Sequence, residues 1–498
     1  MIDTHQRNTA LLVAGCFFME NLDGTIVATA APRMAASLHI EPTAVGLVIT
    51  AYLLTLAVLI PLSGWLAARY GVRRIFLTAI SLFTLASLAC ALSTNLWQLV
   101  AMRVLQGIGG AMMVPVGRLT VMARTAKPDI PKTMAYIVWP GLVAPVIAPL
   151  LGGFITTYAD WRWMFLVNLP LGLVALLVAR RLLDSTSTTG TIPTTNTTPA
   201  TNTIDTTNTK STTPSLDRIG VLLTATGLGA FTWAAHLLSE PAEPWAPVLL
   251  ALGLSAVLLT AAVRHLLRTE HPLISLRTLK VPTFRASVTG GTAFWIAVGA
   301  VPFLLPLLFQ EVFGWSAIKS GTVVLFVFVG NIGIKPATTY LLNRFGFRRL
   351  LLGATLGVTA TLVASAFLTS ATPLALVVVL TVISGAARSV GLTGYMTIAF
   401  SEVTPEQLRH ANTLSATAQQ LAAGLGVAAA TVALRAGGAI GELLPGTPTA
   451  GTAYAVAFGL LALVTLTAVV GAYRLHPGAG DAVRRSPVTA GKRPVAQS

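Results

Sequence analysis

The chain has 498 residues, of which 54% are hydrophobic and only 10% are charged, and its mean hydropathy is +0.75. Soluble domains average about 25% charged residues, so this composition excludes an ordinary soluble protein. The net charge of +16 would suit a nucleic-acid-binding protein, but the distribution of that charge, described below, argues against this function.

Apolar runs of about 20 residues or more, long enough to cross a bilayer as helices, recur along the chain. They carry Gly, Ala and Thr throughout, which is typical of helices that pack closely in lipid. The sequence therefore predicts an all-α integral membrane protein with fourteen transmembrane helices. The predicted spans are 9–31, 43–67, 74–93, 97–123, 134–156, 161–181, 218–239, 246–267, 284–311, 316–342, 348–370, 374–400, 410–435 and 452–474.

The first span contains two carboxylates, Glu20 and Asp23, in the segment FFMENLDGTIVATAAP at 17–32. On a helix they share a face and lie about 15–22 Å into the span, near the bilayer midplane. A charge at that depth costs at least about 2.5 kcal/mol, so carboxylates there are functional by default. We expect them to load and release a proton; the alternative is a static pair neutralised by basic residues.

Basic and amide side chains inside other spans are the predicted partners. Arg103 is the predicted counter-charge, with Gln106 one turn further along the fourth span; alternatively Arg103 only ties helices together. Arg388, in span twelve, and Asn331 and Lys335, in span ten, are predicted with Gln106 to line the substrate cavity. Lys335 could equally be a snorkelling anchor near the cytoplasmic face. Such a cavity leaves room for anionic or zwitterionic substrates.

The loops carry a strong charge asymmetry. Only four of the 33 Lys and Arg residues fall in the links on the predicted outer side: Arg33, Arg162, Lys319 and Arg435. Basic residues accumulate on the cytoplasmic side of membrane proteins, so both termini are predicted to be cytoplasmic. The positive charge then belongs to the membrane surface and not to a nucleic-acid groove.

An internal repeat organises the chain. PLSGWLAARYGVRR at 61–74 matches PATTYLLNRFGFRR at 336–349, with an offset of 275 residues. Each copy joins the second and third spans of a six-span group, and Gly71 permits the tight turn of the first copy. Two six-helix halves around a midplane site are the architecture of a secondary transporter.

The domains follow from this repeat and from a Thr-rich, low-complexity segment that is predicted to be a disordered cytoplasmic linker. They are an N-terminal half at 1–184, the linker at 185–215, two inserted helices with a cytoplasmic loop at 216–283, a C-terminal half at 284–475 and a cytoplasmic tail at 476–498.

A family resemblance rests on several motifs that occur in a fixed order along the chain. They are LDGTIVATAAP at 22–32, GWLAARYGVRR at 64–74, MRVLQGIGGAMM at 102–113, GLVAPVIAPLLGG at 141–153, WRWMFLVNLPLG at 161–172, LDRIG at 216–220, HPLISLRTL at 271–279 and FLLPLLFQEVFGWSAIKSG at 303–321. With these motifs the chain resembles the major facilitator superfamily, and within it the fourteen-helix drug:proton antiporters of the EmrB/QacA type.

The resemblance implies roles for particular residues. Asp23 and Arg103 would take part in proton coupling. The family motif does not include Glu20, which we expect to share in proton coupling or, alternatively, to set a preference for cationic substrates. A gating loop would comprise Gly64, Arg69, Gly71, Arg73 and Arg74. A fifth-span antiporter motif would comprise Gly141, Pro145, Pro149, Gly152 and Gly153. This bent, closely packed helix would block proton leak, and ordinary helix packing is the alternative.

The chain departs from the family pattern at three positions. Ala68 stands where the loop motif usually has Asp, which implies that the conformational lock is weakened or is formed by other residues. Ala144 and Ala148 stand where the fifth-span motif usually has Gly, and because Ala is also small we expect close packing to survive.

The predicted function is a proton-coupled exporter of small amphipathic compounds, a drug:proton antiporter that works by alternating access in the cell membrane and gives antibiotic resistance. Its partners would be the substrate, protons and the bilayer, with no metal or cofactor and one chain sufficient. An uncoupled facilitator, or an exporter of one metabolite, is the alternative. The seven scattered histidines and the lack of a phosphate-binding loop disfavour a membrane enzyme and an ATP-driven pump.

Overall fold

A computed structural model describes residues 4–123, 130–183, 217–239, 245–269, 272, 276–404, 407–443, 450–476 and 478–480. The predicted Thr-rich linker and the tail beyond residue 480 lie outside these residues. The described chain is helical and contains no β-strand within those ranges. The long helices, in chain order, are α1 (Thr4–Leu38), α2 (Val45–Tyr70), α3 (Val72–Ala91), α4 (Leu96–Ala123), α5 (Ile130–Tyr158), α6 (Asn168–Leu182), α7 (Arg218–Ser239), α8 (Trp245–Arg268), α9 (Pro282–Leu307), α10 (Ala317–Gly333), α11 (Lys335–Ala366), α12 (Leu374–Ala399), α13 (Leu408–Leu443) and α14 (Ala450–Tyr473).

These fourteen helices follow the fourteen predicted spans in order. Eleven segments of the described chain are long and apolar enough to cross a membrane, and α5 and α10 contain the shorter apolar helices Val143–Tyr158 and Ala317–Gly333. α7 forms over its predicted range but is not among these segments. The protein is therefore a multi-pass membrane protein.

Two of the predicted spans are not single continuous helices. The sixth span begins with a separate short helix, Trp163–Leu166, before α6. The tenth span is interrupted at Ile334, because Pro336 near the start of α11 has no backbone N–H with which to continue the α10 ladder. Lys335 thus begins α11, and α9 ends in a π-helical turn at Leu308–Val312.

Two glycines make equivalent turns in the two halves. Gly71 separates α2 from α3 with φ 86° and ψ 139°, and Gly346 bends α11 with φ 75° and ψ 166°. A residue other than glycine at such a positive φ would destabilise the fold by about 1–3 kcal/mol, so glycine is favoured at both positions. The two positions are separated by the 275-residue offset of the sequence repeat, so the repeat has the same backbone turn in each half.

The two halves pack against each other mainly through α2 with α13 and α5 with α10. A Cβ atom built on Gly153 would lie 2.5 Å from the carbonyl oxygen of Ala317, and one on Gly321 would lie 2.1 Å from that of Pro149. Only glycine permits an approach this close between α5 and α10.

Hydrogen bonds also cross between the halves at this end of the bundle, where α1 ends and α2 begins. Gln310 Nε2 donates to the carbonyl oxygen of Thr29 at 2.9 Å, and Thr50 Oγ1 donates to that of Gly424 at 3.4 Å. We call this end of the bundle the sealed end. It is formed by the ends of α1, α5, α9 and α13 and by the starts of α2 and α10. At the opposite end Tyr70 and Phe345 are exposed.

The Gly71 turn yields a stability prediction. A Cβ atom at Gly71 would meet no atom within 4 Å, so Gly71→Ala tests the backbone conformation without a steric clash. We expect a cost of about 1–3 kcal/mol and a lower melting temperature of the purified protein. Gly353→Ala is the matched control, because Gly353 is helical and also has open space. An equal effect of the two substitutions would contradict the prediction, since Ala in a helix is favoured over Gly.

Candidate functional site

A buried ion pair lies inside the N-terminal half. Asp23 of α1 and Arg103 of α4 are 1% and 0% exposed, and Arg103 Nη1 donates to Asp23 Oδ2. The second carboxylate oxygen, Oδ1, accepts from Gln106 Nε2 at 3.0 Å and from Asn168 Nδ2 at 2.8 Å. Both oxygens of Asp23 are thus bound by donors from α4 and α6, which is the arrangement that a buried charge needs.

A further layer of hydrogen bonds holds these donors in place. Ser87 Oγ of α3 accepts from Gln106 Nε2 at 2.7 Å and from Asn168 Nδ2 at 3.3 Å. Arg103 Nη1 also donates to Gln106 Oε1 at 2.7 Å, and its Nε donates to the carbonyl oxygen of Val48 on α2 at 3.4 Å. The ion pair therefore joins helices α1, α2, α3, α4 and α6.

The sequence predicted part of this network. Arg103 and Gln106 stand one turn apart on α4 and so face the same neighbour, and Arg103 is the counter-charge of Asp23 as expected. Asn168 was missed, although an amide within the apolar sixth span was a visible signal. Ser87 gave no signal, because serine is common where transmembrane helices pack.

Glu20 has a different environment. It lines a cavity of about 180 Å³ between the two halves, and its buried Oε2 has no hydrogen-bond partner in the described part of the chain. Asp23 is bound by donors of α4 and α6 within the N-terminal half, whereas Glu20, one turn earlier on α1, lines the cavity; joint action of the two carboxylates in proton transfer stays a prediction. The cavity is lined by Glu20, Asn21, Gly24, Thr25, Ala28, Ile49, Tyr52, Leu53 and Leu56 from the N-terminal half and by Gly299, Pro302, Phe303, Gln420, Ala423 and Val427 from the C-terminal half.

Tyr52 separates the cavity from the ion pair. Its ring lines the cavity and lies with its centroid 4.2 Å from the guanidinium carbon of Arg103. Aromatic rings attract cations at this distance, so the ring stabilises Arg103 as well as covering it. Nothing in the sequence distinguished Tyr52 from other aromatic residues of the spans.

The four residues predicted to line the cavity do not line it in this conformation. Gln106 and Arg388 are buried within their own halves, where Gln106 holds Asp23 and Arg388 Nη2 donates to the carbonyl oxygen of Val298 at 2.7 Å. Asn331 lies near the end of α10, and Lys335 is exposed at the start of α11.

The fifth-span motif packs α5 against both neighbours. A Cβ atom on Gly141 would lie 2.1 Å from a ring carbon of Phe17, and one on Gly152 would lie 3.0 Å from the carbonyl oxygen of Ile26, both in α1. Gly153 and Pro149 instead meet α10 at the sealed end. Pro145 lies between these contacts within α5, and Ala144 and Ala148 are fully buried. Close packing therefore survives the replacement of the usual glycines by alanine.

The predicted gating loop lies at the opposite end. Gly64, Arg69 and Arg74 are exposed, and Arg73 is partly buried. In the second copy, Arg344 Nη1 donates to Tyr340 Oη at 2.6 Å, within the same helix. The salt bridges found in the described ranges join Arg103 to Asp23, Arg162 to Asp160 and His265 to Asp217, so none of them links the two loops. Gating by these residues stays a prediction.

The fold and the cavity define a secondary transporter with two helical halves. The sequence matches the family description "Major Facilitator Superfamily" over residues 13–427. It is 40% identical, over 70% of this chain and 69% of the relative, to proteins named "Putative multidrug resistance protein MdtD" from Salmonella typhi and from Salmonella typhimurium. The chain belongs to the major facilitator superfamily.

Solved structures show the same fold at low sequence identity. A bacterial homologue of the human lysosomal transporter Spinster, in an inward-facing and occupied conformation, superimposes with a TM-score of 0.64 at 14% identity, over 98% of this chain and 100% of that one. An autoinhibited peptide transporter of the POT family gives a TM-score of 0.66 at 14% identity, over 95% and 97% of the two chains.

The ion pair yields a prediction about stability. Asp23→Asn leaves Arg103 charged and buried without its partner, which should cost about 3–5 kcal/mol. The double variant Asp23→Asn with Arg103→Gln removes both charges and should recover most of the lost melting temperature, because no uncompensated charge remains. Thermal unfolding of the purified variants checks this, with exposed Asp160→Asn as the control. If the double variant is less stable than Asp23→Asn, the pair is not the main constraint.

The sealed end yields a second prediction. A disulfide between Leu53→Cys of α2 and Gly424→Cys of α13 should form, because a Cβ atom built on Gly424 lies 3.3 Å from the Cβ of Leu53, close to the spacing of about 3.5–4.5 Å that a disulfide requires. It should lock the halves together at this end and abolish transport until a reductant is added. Each single cysteine variant, treated with the same oxidant, is the control for the buried native Cys16 and Cys90. Transport that continues in the cross-linked protein would show that this end need not open.

Proposed function

We propose that this chain is a proton-coupled exporter that moves small amphipathic compounds out of the cell. One observation carries the proposal: Glu20 lines the cavity between the halves, with a buried carboxylate oxygen that has no partner in the described structure. Arg118 of α4 interacts electrostatically with Glu20, but the salt bridges of the described ranges do not include this pair. A carboxylate without a salt bridge is costly in a membrane interior when charged and is more stable when protonated. The cavity therefore holds a group whose proton can be exchanged.

Glu20 and Asp23 would have different roles in proton coupling. Glu20 is the group that a substrate and a proton can both reach in this conformation, so they would compete for it. Asp23 is held by Arg103, Gln106 and Asn168, and it would exchange a proton only when this network opens. Binding at one site would then be coupled to the other through the position of α1, which carries both residues.

In alternating access, the two ends of the helical bundle would open in turn. Protonation and substrate binding favour different conformations, so each shifts the balance between them. The sealed end is the outer end in the predicted topology. A cavity that opens toward the Arg-rich loop end would take substrate from the cytoplasm, and breaking the α5–α10 and α2–α13 contacts would release it outside.

The remaining properties are part of the same proposal. The charge asymmetry of the loops supports an orientation in the cytoplasmic membrane with both termini inside. One chain contains both halves and the cavity between them, which supports function as a monomer. The basic residues are consistent with an anionic membrane surface and require no nucleic acid. The relatives' name, a multidrug resistance protein, supports several amphipathic substrates and an activity other than catalysis.

Proton movement in everted membrane vesicles tests the proposal. The vesicle interior is acidified, a panel of lipophilic drugs is added, and the decay of the pH gradient is followed with a fluorescent dye. We expect drug-triggered proton release in wild type and at least a tenfold loss in Glu20→Gln, because the competing group is gone. Glu402→Gln is the matched control, since Glu402 is an exposed carboxylate near the inner end of α12.

The other outcomes separate the alternatives. If Glu20→Gln retains proton release and Asp23→Asn loses it at normal protein level, Asp23 is the coupling group. Drug movement that ignores both the gradient and the two substitutions would mean that the protein is an uncoupled facilitator. Release triggered by a single metabolite and by no drug would favour a specific exporter.

A further inference from the structure

Arg388 is a buried cation that the proposed proton cycle does not use. It lies fourteen residues after the start of α12, about 21 Å along the helix and so near the middle of the bilayer. Its side chain is buried, with the whole residue 5% exposed. Nη2 donates to the carbonyl oxygen of Val298, whereas Nε and Nη1 are buried and meet no acceptor in the described part of the chain.

In the described part of the C-terminal half, no carboxylate forms a salt bridge with Arg388. Between residues 282 and 399 the sequence contains one acidic residue, Glu311, which lies at the sealed end of α9. Glu402, beyond the other end of α12, accepts from Thr283 Oγ1 at 3.1 Å. Arginine stays protonated in proteins, so Arg388 remains a charged group with unused donors inside the membrane.

The internal repeat shows how the two halves differ at one position. The 275-residue offset places Val298 at the position of Asp23, and it places Val378 and not Arg388 at the position of Arg103. In the N-terminal half this position supplies the carboxylate that neutralises Arg103; in the C-terminal half it supplies only a backbone carbonyl for Arg388. The next residue, Gly299, lines the central cavity, so the guanidinium lies directly behind one stretch of the cavity wall.

We propose that Arg388 binds a small monovalent anion, either the carboxylate of a transported zwitterion or a halide from solution, and that this anion replaces the missing carboxylate. The two unused N–H groups of a planar guanidinium suit a carboxylate that accepts two hydrogen bonds. The inference rests on the proposed export function and names a substrate class for it: amphipathic compounds that carry a carboxylate as well as a cationic group for Glu20.

A stability measurement tests the site without any transport. The purified protein is heated at constant ionic strength in a bulky sulfonate salt and then in chloride or acetate. We expect the small anions to raise the melting temperature of wild type by about 2 °C or more, since a ligand that binds only the folded state stabilises it. Arg388→Gln should lose this rise and Arg388→Lys should reduce it. Arg435→Gln is the control, because Arg435 also donates to one backbone carbonyl, that of Leu237.

A matched pair of dyes separates the two sources of the anion. A rhodamine that bears a free carboxylate and the methyl ester of the same dye are offered to everted vesicles. If the substrate supplies the anion, Arg388→Gln lowers transport of the carboxylate dye at least tenfold and leaves the ester unchanged. If a halide supplies it, transport of both dyes depends equally on chloride, and Arg388→Gln removes this dependence.

The inference is overturned if small anions do not change the wild-type melting temperature and Arg388→Gln affects both dyes equally without chloride dependence. Arg388 would then only tie α12 to α9. Failure of the proposed export function gives a different result: wild type moves neither dye, while the stability measurement still decides whether Arg388 binds an anion.

Discussion

The ion pair between Asp23 and Arg103 is the constraint on which the N-terminal half depends. Burying charges in a membrane is costly, and pairing them and satisfying their hydrogen-bonding groups lowers that cost. Here that requirement brings Gln106, Asn168 and Ser87 to one point, and so fixes how α1 sits against α3, α4 and α6. Glu20 lies one turn before Asp23 on the same helix and lines the cavity between the halves, so α1 carries one carboxylate into this network and presents another to the cavity.

The two halves share a backbone plan and differ in charge. The repeat preserves the glycine turns at Gly71 and Gly346, because a positive φ is a backbone requirement that no other residue meets cheaply. It does not preserve the charged interior: Asp23 and Arg103 form a salt bridge in the first half, whereas Arg388 in the second half forms none with the described residues. The cavity therefore has an acid on one wall, and Gly299 on its other wall follows Val298, whose carbonyl oxygen binds the guanidinium of Arg388; this arrangement is the basis of the proposal that the ligands carry both signs of charge.

The sequence predicted the order and type of the helices because length and hydropathy are strong constraints in a bilayer. It also predicted that Arg103 balances Asp23, since few partners exist for a buried acid. It did not predict which side chains line the cavity. Residues such as Gly299, Pro302 and Phe303 are apolar or small, as lipid-facing and packing residues also are. The break before α6 was missed as well, because the apolar run continues through it.

Tyr52 is the side chain through which the cavity can influence the ion pair. One face of its ring covers the guanidinium of Arg103, and the ring also forms part of the cavity wall. A substrate that packs against this ring would approach Arg103 without touching it, in a medium where charges are weakly screened. A small rotation of the ring would then change its contact with the guanidinium of Arg103. This change would alter the strength of the salt bridge between Arg103 and Asp23. One aromatic ring separates the cavity from the hydrogen-bond network around Asp23 and Arg103. Tyr52 alone could therefore couple substrate binding in the cavity to this network.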